Sequence, residues 1–190
     1  MSDFYEFDET DAFTTGALGQ PGQRTFVIQV RADSSRFTMK CEKQQVAALS
    51  QYIRQLLADA PDVRERPMDE MLQLSNPMEV NFTIGTVGIA YDPRNDRMVI
   101  QIEELVPFDE NDEPIMDAEV TRIRMNITRG QAMAFCDHAD EVVAAGRPPC
   151  IFCGRPMNID GHMRGHMCPS IFIFCGRPMN IDGHMCPRMN

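Results

Sequence analysis

Phe37-Thr38-Met39-Lys40-Cys41-Glu42-Lys43-Gln44-Gln45-Val46-Ala47-Ala48-Leu49 decides the fold, because the apolar period changes inside it. Phe37, Met39 and Cys41 alternate with polar residues, the period of a strand with one buried face. From Val46 the apolar residues fall at Val46, Leu49, Ile53 and Leu57, one stripe of a helix. Glu42 and Gln45 stand where a capping box places its first and fourth residues, and Asp59-Ala60-Pro61 supplies the stop. A strand running straight into an amphipathic helix predicts a helix packed on a sheet.

The same pattern occurs a second time. Ile123-Arg124-Met125-Asn126-Ile127 alternates, Thr128-Arg129-Gly130-Gln131 forms a capping box, and Ala132, Phe135, Ala139 and Val143 make the stripe. Working outward, Phe26-Val27-Ile28-Gln29-Val30 matches Met98-Val99-Ile100-Gln101-Ile102. Phe13-Thr14-Thr15-Gly16-Ala17-Leu18-Gly19 matches Phe82-Thr83-Ile84-Gly85-Thr86-Val87-Gly88. Turn residues join the first two strands of each set, Gln20-Pro21-Gly22-Gln23 in one and Asp92-Pro93-Arg94-Asn95-Asp96 in the other. The expected body is an α+β fold of two strand-strand-strand-helix units, residues 13–57 and 82–143. They should build an antiparallel sheet of about six strands with both helices on one face and pseudo-twofold symmetry. Between the units, Glu65 to Leu74 reads as a short helical connector closed by Asn76-Pro77. Glu103 to Glu119 reads as a solvated acidic hairpin; a calcium loop needs a central Gly and a twelfth-position Glu, and Val120 stands at that last place.

Composition bounds the function. The chain has 190 residues, 43% hydrophobic and 24% charged, which puts it among globular chains of one to one and a half domains. Its net charge of −10 argues against nucleic acid as a partner. No apolar run approaches the roughly 20 residues of a bilayer span, and the acidic start is unlike a secretory signal, so the expected location is cytoplasmic, away from membranes. Charge and thiols are unevenly shared. Residues 146–190 carry five Arg and two Asp, a net of +3, which leaves −13 for residues 1–145. Cys41 and Cys136 lie in the body, whereas Cys150, Cys153, Cys168, Cys175 and Cys186 crowd the end. The expected division is a body, 1–145, and a Cys/His-rich tail of zinc-knuckle or ribbon type, 146–190, joined near Gly146-Arg147-Pro148-Pro149.

Cys150-Ile151-Phe152-Cys153-Gly154 is a Cys-x2-Cys knuckle, a spacing at which two thiolates grip one tetrahedral zinc. His166 and Cys168, two residues apart, point the same way in extended backbone and can complete the sphere. A redox or disulfide role for these thiols is the competing reading. The tail also repeats itself, since residues 151–163 and 173–185 are identical. Phe172 replaces Cys150 in the second copy, so an alternative or second site would use Cys175, His184 and Cys186 with His162 borrowed.

Three stretches together carry a resemblance: Gly16 to Phe26, Glu42 to Leu49, and Val143-Ala144-Ala145-Gly146-Arg147-Pro148-Pro149-Cys150 with Cys153-Gly154 and a terminal Gly-His-Met-Cys-Pro-Arg. They resemble the DUF3090 family, a group typical of Actinobacteria and related bacteria whose own activity is not established. Members end once in such a pattern; this chain stutters it, leaving Cys168 and Cys186 in competition as last ligand. The family's gene neighbourhood, with a phosphatase-like and a kinase-like protein, implies a shared pathway.

Two function classes remain open. The first is an interaction or scaffold protein with a structural zinc. No Gly-rich phosphate loop or Ser-His-Asp set is present, and His138, the one histidine outside the tail, sits on a helix flank where a catalytic base is not expected. The second is an enzyme or binder of phosphorylated metabolites using Gly22-Gln23-Arg24, with Gln23 and Arg24 as contacts and the guanidinium gripping an anion. The plainer expectation for Arg24 is a salt bridge to the acidic surface.

Overall fold

Among the described residues, seven strands and two helices follow one another as β1 (Phe4–Phe7), β2 (Ala12–Leu18), β3 (Thr25–Ala32), β4 (Ser35–Cys41), α1 (Lys43–Leu56), β5 (Phe82–Asp92), β6 (Arg97–Glu104), β7 (Arg122–Thr128) and α2 (Arg129–Ala144). The computed structural model describes residues 3–20, 23–60, 66–111, 113–115 and 118–145. The chain divides into two compact units, Met1–Leu18 with Thr25–Val143, and Gly19–Arg24 with Ala144–Asn190. In the first unit the strands form one mixed sheet in the order β1-β7-β6-β5-β4-β3-β2.

The expected six-stranded antiparallel sheet is corrected in two ways. β1 adds a seventh strand, parallel to β7 with Tyr5 opposite Ile123. β4 and β5 are also parallel, paired only at Met39 with Phe82 and Lys40 with Thr83. The reason is the crossover: α1 and the segment after it return the chain to the end from which β4 started, as a parallel pair requires. The third strand of the first set neighbours the first strand of the second, so the two sets succeed one another across the sheet.

The sheet is curled, and chain length proves it. β1 and β2 lie at opposite edges. Seven strands about 4.8 Å apart would separate them by roughly 29 Å if flat. The link from Phe7 to Ala12 spans at most about 18 Å. Consistently, the rings of Tyr5 and Phe7 meet that of Phe37 on β4, with centroids 4.7 and 6.0 Å apart.

Register makes one face continuously apolar. Phe13, Val30 and Phe37 stand abreast, as do Ile28 and Met39, and across the other half Ile100 lies between Ile89 and Met125. Both helices close this face. Val46, Leu49 and Ile53 of α1 join Ala132, Phe135 and Ala139 of α2 in the same core as the inner strand residues. The helices touch through small side chains: the Cys136 thiol donates to the Ser50 carbonyl at 3.4 Å, and the Ser50 hydroxyl donates to that of Cys136 at 3.4 Å. Arg54 adds ion pairs to Asp137 at 2.8 Å and Asp140 at 2.9 Å. The second capping box is fully formed, with Gln131 N–H donating to Thr128 Oγ1 at 3.1 Å and Thr128 N–H to Gln131 Oε1 at 2.8 Å.

Two local features carry expectations of their own. Gly85 sits where β5 bulges between Ile84 and Val87, and a Cβ there would lie 2.8 Å from Leu105 Cα. Because that neighbour is backbone, Gly85→Ala is expected to lower stability by about 1–3 kcal/mol. An unchanged denaturation midpoint would show that the bulge can relax. At the β5–β6 turn, Asp96 (φ 53°) accepts from Arg129 Nε at 2.6 Å and NH2 at 3.0 Å, and from the Tyr91 hydroxyl at 2.8 Å. The Arg129 guanidinium holds the Asp96 carboxyl below its ordinary value. A depressed carboxyl adds stability above its unfolded pKa and loses it as pH falls through the folded one. Acidification from neutrality should therefore lower the melting temperature of the wild-type chain more than that of Asp96→Asn; parallel curves would sink the assignment.

The expected helix over Glu65 to Leu74 is a single 3-10 turn, Asp69–Leu72. The acidic stretch after β6 forms a small hairpin, with Phe108 bridging Pro114 and Asp109 N–H donating to the Glu113 carbonyl at 2.9 Å. No helix among the described residues is long and apolar enough to cross a membrane.

Candidate functional site

The outer face of β2–β4 turns away from the helices, yet three of its polar residues are buried. Thr14 and Gln29 are 0% exposed and Thr38 1%. A buried polar side chain must find partners inside the protein. Here the partner is the segment that carries the 3-10 turn, residues 66–81, which lies across this face as a strap.

Gln29 is the hub. Its Nε2 donates to Thr38 Oγ1 and to the Ser75 carbonyl, each at 3.0 Å. Its Oε1 accepts from Ser75 N–H at 2.8 Å and Ser75 Oγ at 3.0 Å. Both donors and both lone pairs of the amide are thus used. On either side, Thr14 Oγ1 donates to the Leu72 carbonyl, Arg31 NH2 to that of Met71 at 3.1 Å, and Arg36 NH1 to that of Asn76 at 2.6 Å. Four side chains of one sheet face therefore meet four carbonyls of the strap, two from its 3-10 turn and two from the stretch after it. Gly16 leaves the space that Leu74 enters; a Cβ there would overlap it. Sequence reading did not find this site. Its signal is Gln29, the one polar residue inside Phe26-Val27-Ile28-Gln29-Val30, flanked across the ladder by Thr14 and Thr38.

The residues singled out from sequence fall elsewhere. In the second unit Gln23 is exposed and its N–H closes a turn onto the Gln20 carbonyl at 2.9 Å. Arg24 NH1 donates to the carbonyl of Ala145, the residue after α2, where the salt bridge was expected. A cation is favoured there because the last carbonyls of a helix lack partners and carry its negative dipole end. Gly22 lies outside the described residues.

His138 Nε2 lies 3.0 Å from the Thr15 carbonyl. That oxygen can only accept, so Nε2 carries the proton. The ring caps a carbonyl of the edge strand β2. The body thiols are quiet: burial pushes Cys41 up to about 12 and Cys136 to about 11. Thiols held that far above neutrality are poor nucleophiles and poor metal ligands. Cys150, Cys153, His162, His166, Cys168, Cys175, His184 and Cys186 all lie outside the described residues.

These observations define an α+β protein with a mixed seven-stranded sheet, two helices and a Cys/His-rich C-terminal sequence. Residues 5–168 match the family described as "Protein of unknown function (DUF3090)", and the chain belongs to that family. The matched span ends on Cys168, so it contains the first Cys-x2-Cys and His-x-Cys set and excludes residues 169–190. No curated protein and no solved structure matches the chain.

Proposed function

We propose that the chain is a cytoplasmic protein-interaction or scaffold module whose tail is folded by one structural zinc ion. The donor set carries this reading. Cys150, Cys153, His166 and Cys168 supply three sulfurs and one nitrogen, the four-ligand complement of a closed structural site. All four fall inside the family match. A closed tetrahedral site has no open position for substrate, which favours a clip that shapes a binding surface over a catalytic centre. We further propose that residues 13–57 and 82–143 descend from one duplicated strand-strand-strand-helix unit, each carrying a buried helix anchor, Leu49 in one and Phe135 in the other.

The partners that the family's gene neighbourhood implies are a kinase-like and a phosphatase-like protein. The test is affinity capture from a native host with the full chain as bait, read by mass spectrometry for those two proteins. Both, or either, should co-purify with the wild-type chain and be lost with Cys150→Ser/Cys153→Ser. Their absence from the wild-type capture would sink the partnership.

The second reading, a phosphometabolite site at Gly22-Gln23-Arg24, keeps one point in its favour. The Arg24 guanidinium has five N–H donors, and the Ala145 carbonyl engages one of its nitrogens. A thermal-shift screen with phosphorylated metabolites tests it: a stabilisation that Arg24→Gln abolishes would replace the interaction reading with a ligand-binding one.

A further inference from the structure

We propose that the outer face of β2–β4 is a docking face for an acidic peptide segment of a partner protein, and that the chain's own 66–81 segment is its resident competitor. This deepens the interaction reading but stands on body residues alone, so it can fail while the tail's role survives, and the reverse.

The face recognises backbone. Thr14, Gln29, Arg31 and Arg36 each donate to a main-chain carbonyl of the strap, at Leu72, Ser75, Met71 and Asn76. Carbonyls are common to every peptide, so the same donors suit another segment that presents its carbonyls at the strap's positions, a turn at Met71 and Leu72 followed by open chain at Ser75 and Asn76. The strap is held mainly by hydrogen bonds. None of the residues in its 3-10 turn is buried, Met68 is 67% exposed, and the side chains it sets against the sheet are Leu74, at Gly16, and the sulfurs of Met71 and Met78, near Arg31 and Gln29. A permanent cover would be expected to bury apolar side chains, as the helices do on the inner face. Here the groups beneath are polar, so water can replace the strap when it lifts. Segments secured by few apolar contacts are those that open below the global unfolding energy.

Arg31 supplies the chemistry of the partner. Its NH2 is taken by the Met71 carbonyl, while its buried Nε has no hydrogen-bond partner among the described residues. Those two nitrogens form one edge of the guanidinium fork, which a carboxylate fills with two parallel bonds and a single carbonyl cannot. The Met71 sulfur lies 3.8 Å from Arg31 NH2, so a side chain at that place of a bound peptide reaches the fork. An acid there would satisfy the donor the strap leaves idle. Arg36, directly across the β3–β4 ladder from Arg31, adds positive charge at the same place for an acidic partner.

The experiment has two arms. In the unmodified full chain, hydrogen exchange should show the Ser75 amide, bonded to Gln29, exchanging at least about 100-fold faster than the amides of Ile28 and Ile100 in the core strands. Equal rates would mean the strap opens only with global unfolding and would overturn the proposal. In the second arm, fluorescein-labelled peptides of sequence 66–81, one unchanged and one with Met71→Glu, are titrated against the full chain carrying Leu74→Ala/Ser75→Ala, its fold checked by circular dichroism. Saturable binding is expected, at least about tenfold tighter than to the wild-type chain because the competitor is weakened. The Met71→Glu peptide should bind about tenfold better than the unchanged one, an advantage lost when Arg31→Gln is added. No saturable binding to the weakened-strap chain, or equal binding of the two peptides, would overturn it.

Discussion

Phe135→Ala is expected to cost about 3–5 kcal/mol of unfolding free energy. Phe135 is 0% exposed on α2 and stacks on Phe13 of β2, with ring centroids 4.4 Å apart and planes 28° from parallel. Truncation removes the ring's burial and also strips Phe13 of its partner face. β2 is an edge strand, held by one neighbour in the sheet, so its packing against α2 is a large part of what fixes it. Refilling the hole would require α2 to move toward the sheet, but its first turn is tied by the Thr128–Gln131 box and by Gln131 Nε2 donating to the Thr10 carbonyl at 2.6 Å. Against a domain stability of about 5–15 kcal/mol, the change should be plain as a lowered denaturation midpoint with unchanged slope. Tyr52→Ala on α1, where the ring is 59% exposed, is the control and should move stability by less than about 0.5 kcal/mol. A loss below about 1 kcal/mol for Phe135→Ala would mean that the core repacks freely around the site.

Alternation and helical spacing carried much of this fold because both are local. Phe37, Met39 and Cys41 do face the core, Val46, Leu49 and Ile53 form the buried stripe of α1, and both helices close one face. What local pattern cannot encode is which strand lies beside which. The β4–β5 seam rests on two residue pairs, and nothing in the period of either strand states its direction relative to the other. β1 escaped notice for a related reason: Phe4-Tyr5-Glu6-Phe7 buries only Phe7, and its pairing partner Arg122–Met125 is remote in the sequence.

The polar face was illegible on different grounds. Period 2 assigns Thr14, Gln29 and Thr38 to the outward side, which normally means water. Their burial comes from residues 66–81, a segment with no apolar periodicity that would announce where it lies. Arg24 illustrates the same gap. Charge balance suggested an acidic partner, but its acceptor is a main-chain carbonyl, and a carbonyl has no residue identity for a sequence to display. The proposed metal ligands are the opposite case: the proposal rests on side-chain identity and spacing, which a sequence displays directly.

Metal analysis of the purified chain is expected to find about one zinc per chain, falling to near zero in Cys150→Ser/Cys153→Ser. Those two thiols are expected to anchor the site whichever ending completes it, because Phe172 stands where the second copy would need its own first cysteine. The competition is between His166/Cys168 and His184/Cys186. Loop length favours the nearer pair only weakly, since each doubling of a closed loop costs about 0.6 kcal/mol. The family match adds weight on the same side, because it ends on Cys168 and leaves the distant pair outside. His166→Ala/Cys168→Ser should therefore release most of the zinc, and His184→Ala/Cys186→Ser little. The body should stay folded in each variant, its core being built from residues between Phe7 and Val143. Zinc should also leave as pH falls, because thiolate and imidazole ligands must lose their protons to bind. In a loaded form the sulfurs belong about 2.3 Å from the metal and the imidazole nitrogen about 2.0–2.1 Å, distances that X-ray absorption reads directly. Zinc retained in Cys150→Ser/Cys153→Ser would transfer the site to His162, Cys175, His184 and Cys186. A parent chain without zinc would hand the tail thiols to redox or disulfide chemistry, which the accessible thiol count before and after reduction would then report.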